Sequence, residues 1–105
     1  MRIKKVNDDE ILFDNGNIIE YDHEPDCCEV NYADFKQLEP LAYETDFDQN
    51  LVFEAVEDAG FRFGNPGKMF FVPCYSTQNG YYSRDIDIYY NEHIVLFFNA
   101  ELDYN

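Results

Sequence analysis

The stretch Lys68-Met69-Phe70-Phe71-Val72-Pro73-Cys74-Tyr75-Ser76-Thr77-Gln78-Asn79-Gly80-Tyr81-Tyr82-Ser83-Arg84-Asp85-Ile86-Asp87-Ile88-Tyr89-Tyr90 decides how this sequence is expected to fold. Two alternating runs flank Asn79-Gly80, the residue pair favoured in a two-residue type I′ loop because both positions need positive φ. With that loop, Pro73 faces Ile86, Phe71 faces Ile88 and Met69 faces Tyr90. One face of the hairpin is then continuously apolar, and the other sets Asp85 and Asp87 opposite Cys74 and Val72. A slip of one residue would carry both carboxylates into the apolar stripe, so the pattern selects this register. Pro73 has no amide to donate and belongs at an edge or a bulge.

Outward from this hairpin the alternation continues. From His93 to Leu102, the residues Ile94, Leu96, Phe98, Ala100 and Leu102 share one face of a last strand, extending a meander. Upstream, Leu51 to Ala59 fits two patterns. Leu51, Val52, Ala55, Val56 and Ala59 share a helical face with Gly60 as its cap, whereas Leu51, Phe53 and Ala55 share a strand face. The β-rich remainder of the chain favours strand. An earlier hairpin turns at Asn15-Gly16, pairing Phe13 with Ile18 and Leu12 with Ile19, and residues 2–7 add another strand. Cys27 to Tyr32 alternates as well, with Cys28, Val30 and Tyr32 on one face. Asp34 and Gln37 have the spacing of a capping box, which predicts a helix over residues 34–39 running on irregularly to Tyr43, with Pro40 limiting it. Phe35, Leu38 and Ala42 would share its buried face. The fold class is α+β: a curved antiparallel sheet of six or seven strands, a meander of hairpins, with one short helix packed against it in a single domain over residues 1–105.

Composition agrees with this reading. Ten Phe and nine Tyr with no Trp give an aromatic core whose side chains suit a pleated surface better than a helix. Twenty-two acidic against seven basic residues set a formal charge of −15, which opposes binding to phosphate backbones or anionic lipid. No direct nucleic-acid contact and no membrane association are therefore expected. Met1 to Val6 is charged without an apolar run behind it, and three cysteines are an odd number, so a cytoplasmic protein with reduced thiols is the simpler reading.

Three groups of residues could carry chemistry. His23, Asp26, Cys27 and Cys28 are metal-ligand types, with Cys74 or His93 available to complete a shell. Adjacent cysteines on a strand point to opposite faces, however, and the chain has no Cys-x-x-Cys pair. A cysteine nucleophile activated by His23 would sit among Glu24, Asp26 and Glu29, whose charges raise a thiol pKa and oppose activation. A structural reading, with Cys28 as a small buried hydrophobe, fits better. The second group is Asn79-Gly80-Tyr81-Tyr82-Ser83, where paired tyrosines beside a turn suit a recognition surface. Only Arg84 is near, too little positive charge for stacking single-stranded nucleic acid. The third group is carboxylate: Glu20, Asp22, Glu24, Asp26 and Glu29 in one cluster, Asp85 and Asp87 in another. Such a surface can imitate a nucleic-acid backbone and occupy a basic cleft.

Two of these segments together resemble an uncharacterised family of small single-domain bacteriophage and bacterial proteins. The resemblance rests on His23-x-x-Asp26-Cys27-Cys28-Glu29, preceded by Phe13-Asp14-Asn15-Gly16, and on Asn79-Gly80-Tyr81-Tyr82-Ser83. It spans residues 10 to 90 and departs from the family pattern around Gly64 to Cys74, where Pro66 and Pro73 interrupt a plainer strand. It implies a phage or mobile-element origin and carries no activity. The sequence reading is thus a non-enzymatic acidic interaction module, an inhibitor or accessory factor. It needs no cofactor and binds a protein with a basic surface through residues 79–83, Asp85 and Asp87. The alternative is a metal-binding or cysteine-dependent enzyme domain centred on His23, Asp26, Cys27 and Cys28.

Overall fold

In the computed structural model, residues 1–22 and 30–104 are described. They form ten strands: β1 (Ile3–Val6), β2 (Glu10–Phe13), β3 (Ile18–Asp22), β4 (Val30–Ala33), β5 (Val52–Val56), β6 (Gly60–Asn65), β7 (Lys68–Gln78), β8 (Asp85–Tyr90), β9 (His93–Asn99) and β10 (Glu101–Tyr104). One 3₁₀ helix, Phe35–Leu41, lies between β4 and β5. The expectation of an antiparallel-rich domain with one short helix holds, and residues 52–56 are strand. The single curved sheet of six or seven strands does not hold. One sheet has the order β1-β2-β3-β8-β9; the other runs β10-β7-β6-β5, with β4 also paired to β7.

The largest correction concerns the stretch around Asn79-Gly80. β7 and β8 are not hairpin partners: β7 pairs antiparallel with β6 through residues 68–73, and β8 pairs with β3 and β9. The pairings of Pro73 with Ile86, Phe71 with Ile88 and Met69 with Tyr90 therefore do not form. Alternation failed to choose a partner because Lys68–Cys74 is apolar on both faces. Val72, Pro73 and Cys74 are all buried, whereas Phe71 is 43% exposed. A nearer turn also competes: Asn65-Pro66-Gly67-Lys68 places Pro66 and Gly67 (φ 86°) as a type II turn that joins β6 to β7. Gly60 and Gly64 let those strands approach closely. A Cβ on Gly60 would overlap the Val72 carbonyl, and one on Gly64 the Lys68 carbonyl.

Smaller corrections follow the same logic. The first hairpin pairs Leu12 with Ile18 and Ile11 with Ile19, one residue from the expected register. Its loop is Asp14-Asn15-Gly16, closed by Phe13 N–H to the Asn17 carbonyl (2.9 Å), with Gly16 at φ 93° as the residue after a tight turn. A two-residue loop with both φ positive occurs instead at Asn91-Glu92 (φ 50° and 71°), between Tyr90 and His93. The expected strand from His93 to Leu102 is two strands. A bulge shifts the β8–β9 register between Ile88 and Tyr89, Ile94 is exposed, and β10 leaves to pair parallel with β7. In β4 the buried residues are Asn31 and Ala33, and Val30 faces out. The helix is 3₁₀ and includes Pro40; Gln37 Nε2 donates to Asp34 Oδ2 (3.0 Å), but Asp34 caps no backbone amide. Three residues per turn align Phe35 and Leu38, which are buried as expected.

The core between the sheets is aromatic. Phe13, Phe70 and Phe63 surround Phe47 at 5.6, 5.6 and 5.7 Å between ring centroids, and Phe61 links Phe63 to Phe35 and Phe98. Phe47 belongs to the loop before β5 yet is 2% exposed, so this loop closes one end of the core.

Candidate functional site

The alternation of β8 sends Ile86 and Ile88 into the core and leaves Asp85, Asp87 and Tyr89 on the opposite face of the first sheet. That facing was correctly read from sequence, although the partner strand was not. In the observed register Glu20 stands opposite Tyr89, Asp22 opposite Asp87, and Glu10 opposite Glu20. On the far side of β8, Ile94 stands opposite Tyr89 and Phe97 opposite Asp87. Two rows therefore cross the outer face, Glu10–Glu20–Tyr89–Ile94 and Asp22–Asp87–Phe97. Each begins in carboxylates and ends in an aliphatic or aromatic side chain exposed by 59% (Ile94) or 66% (Phe97).

Like charges directly opposite in a sheet oppose its formation. Glu20 registers the effect: partial desolvation, then the charges of Glu10, Glu92 and Asp9, raise its carboxyl above the ordinary value. Among the described residues, no lysine or arginine forms an ion pair with Glu20, Asp22 or Glu92. Five of the seven cations are engaged elsewhere: Arg62 with Glu54, Arg84 with Asp58 (2.9 Å), Lys36 with Glu39 (3.5 Å), Arg2 with the Tyr43 carbonyl (3.1 Å), and Lys68 over the Phe70 ring. The other two, Lys4 and Lys5, are exposed on β1 of the same sheet, two strands from Glu20. An open groove of about 410 Å³ has Glu20, Tyr21, Asp22, Tyr89 and Glu92 in its walls. Glu92 is held there by the β8–β9 loop, which Asn91 ties to β3: Ile18 N–H donates to Asn91 Oδ1 (2.9 Å), and Asn91 N–H donates to the Ile18 carbonyl (3.0 Å).

The predicted recognition segment, Asn79 to Ser83, is a strap that carries the chain from the second sheet to the first. Tyr81 projects from it, 87% exposed, but Tyr82 and Ser83 serve a buried polar network. The inner residues at the end of β7 are Ser76 and Gln78, both fully buried, and Asn31 of β4 is 6% exposed. Ser76 Oγ donates to Asn31 Oδ1, and Gln78 Nε2 donates to Ser76 Oγ (2.6 Å) and the Ser83 carbonyl (3.2 Å). Tyr82 N–H donates to Gln78 Oε1 (2.7 Å), and Asn31 Nδ2 donates to the carbonyls of Ser83 and Asp85 (3.0 Å each). Buried amides and hydroxyls must find partners, and the strap supplies them. Of the seven residues expected to bind, Asp85 and Asp87 reach the acidic face; Asn79, Gly80 and Tyr81 stay exposed on the strap; Tyr82 and Ser83 hold the crossover together.

Glu10, Tyr89, Glu92, Ile94 and Phe97 were not singled out from the sequence. The alternation Asp85-Ile86-Asp87-Ile88-Tyr89 already set Tyr89 with the two aspartates, and Phe97 faces out by alternation with Phe98, whereas Ile94 joins them only through the bulge in β9.

His23, Asp26, Cys27 and Cys28 lie outside the described residues, as do Glu24 and Glu29. Of the residues suggested to complete a metal shell, Cys74 is buried in the core and His93 is exposed at the start of β9. Burial, with Asp34 nearby, pushes the Cys74 thiol far above its ordinary pKa. Among the described residues, no three His, Cys, Asp or Glu side chains are grouped to hold a metal ion. No helix among them is long and apolar enough to cross a membrane. No family model, curated protein or solved structure matches the chain.

Proposed function

We propose that this protein is an interaction module that docks a basic segment of another protein on the outer face of its first sheet. The observation that carries the reading is the paired carboxylate rows, Glu10–Glu20 and Asp22–Asp87, which end against exposed Ile94 and Phe97. A row of like charges costs fold stability, and a cationic partner removes that cost on binding. A lysine or arginine side chain entering the groove would meet Glu20, Asp22 and Glu92 around it and the Tyr89 ring beside it. Apolar residues of the same segment would cover Ile94 and Phe97. The module would act without catalysis, as an inhibitor or accessory factor of the phage or mobile-element kind that the motif resemblance implies.

The test is titration of a fluorescent Lys/Arg-rich peptide carrying two aromatic residues, at low and high salt. A triple variant Glu20→Gln/Asp22→Asn/Glu92→Gln is compared with an equally charged control, Glu44→Gln/Asp48→Asn/Glu101→Gln, made at exposed positions elsewhere. The site variant should lose about tenfold or more in affinity, the equivalent of ~1.4 kcal/mol, and the control much less. Equal losses would mean that bulk charge alone attracts the peptide, and the docking face would be abandoned.

A further inference from the structure

The chain has two Asn-Gly sequences, at residues 15–16 and 79–80, and the fold treats them differently. Asn-Gly is the dipeptide most open to intramolecular attack on the side-chain amide, because glycine places no Cβ in the path. At the first site the groups that must react are occupied. Gly16 N–H donates to the Phe13 carbonyl (3.1 Å), and Asn15 Oδ1 accepts from Asn17 N–H (3.0 Å). At the second site, among the described residues, no hydrogen bond holds the Gly80 N–H or the Asn79 side chain, and both residues are exposed on the strap. The strap is anchored from Gln78 on one side and from Tyr82 and Ser83 on the other, so Asn79 and Gly80, with Tyr81, form its unanchored part.

We infer that Asn79 is a site of spontaneous backbone modification and that Asn15 is protected by its turn. The Gly80 backbone nitrogen, losing its proton to solvent, attacks Asn79 Cγ; the Cγ–N bond of the side-chain amide breaks, and ammonia leaves. The resulting five-membered succinimide takes up water and opens at either carbonyl, giving aspartate or isoaspartate at position 79. No electrons are transferred, and water is the one co-reactant. Each product adds a negative charge next to the Gln78–Tyr82–Ser83 network, and the isoaspartyl form also lengthens the main chain by one carbon within the strap.

The test is ageing of the folded protein in mildly alkaline buffer, followed by proteolysis and mass spectrometry, with isoaspartate marked by enzymatic carboxyl methylation. Position 79 should convert about tenfold or more faster than position 15, since two hydrogen bonds must open before Asn15 can react. In denaturant the two sites should converge, because both then share the same local chemistry. Gly80→Ala should slow conversion at 79 alone. Equal rates in the folded protein, or a folded Asn79 slower than in denaturant by as much as Asn15 is, would overturn the assignment.

Discussion

Replacing Glu20 with Gln tests the electrostatics of the acidic face directly, because glutamine mimics the protonated acid at the same size. Glu10 is its cross-strand neighbour, and Glu92 and Asp9 lie further off. Two carboxylates about 6 Å apart repel by ~0.7 kcal/mol in water, which physiological salt cuts roughly in half. Adding the weaker neighbours and partial desolvation, the variant should be more stable at neutral pH by about 0.5–1 kcal/mol, a rise in Tm of roughly 3–6 °C for a chain of this size. The sign against pH is opposite to that of a salt-bridged carboxylate. Glu20 has its pKa raised on folding, so the native state holds its proton more tightly than the unfolded chain. The penalty is fully present above the raised value, shrinks as pH falls through it, and is gone below the unfolded value near 4.5. Urea unfolding of both proteins at neutral pH, at acid pH and at neutral pH in molar salt measures all three limbs. The gain should vanish in acid and shrink in salt. A variant less stable at neutral pH, or a gain unchanged in acid, would refute the idea that Glu20 is strained by its neighbours.

Gly64→Ala should cost about 2–4 kcal/mol by urea unfolding, because the added methyl overlaps the Lys68 carbonyl and the backbone sits at φ 150°. Phe47→Ala should cost about 3–5 kcal/mol, measurable as a large loss of Tm, since it empties a site shared with Phe13, Phe63 and Phe70. In a Cys27→Ser/Cys28→Ser background, Cys74 should resist aromatic disulfide reagents at neutral pH and react only as fast as the protein unfolds; prompt labelling of native protein would contradict its burial.

In β8 the facing was more legible than the partner. Ile86 and Ile88 inward with Asp85 and Asp87 outward follow from period two and the cost of burying a carboxylate, and both hold. What alternation could not supply was the neighbour of Met69 to Cys74, where either face would satisfy a core. The turn residues misled for a related reason. Asn79-Gly80 has the composition of a two-residue hairpin, yet Asn91-Glu92 adopts that geometry although only asparagine suits positive φ well. There the flanking strands and the bonds from Asn91 to Ile18 select the turn, and local preference is overridden.

The acidic face was half legible for the same reason. Glu20, Asp22, Asp85 and Asp87 were recognisable as acidic clusters, but their opposition across β3 and β8 depends on a pairing between segments more than sixty residues apart. That pairing in turn depends on β7 releasing β8. Ser76 and Gln78 mark the point of departure, for they end the apolar inner stripe of β7 with groups that water cannot reach. A hairpin continuing from Gln78 would have no edge to pair with, because β4 and β10 flank β7 over residues 74–78, and each buried group of Ser76 or Gln78 left without a partner would cost about 1–3 kcal/mol. Turning the strap inward at Tyr82 and Ser83 meets that demand and delivers Asp85 to the other sheet, next to Asn31. Filled edges on β7 therefore turn β8 away, two buried polar residues hold the strap that carries it across, and Asp87 arrives opposite Asp22.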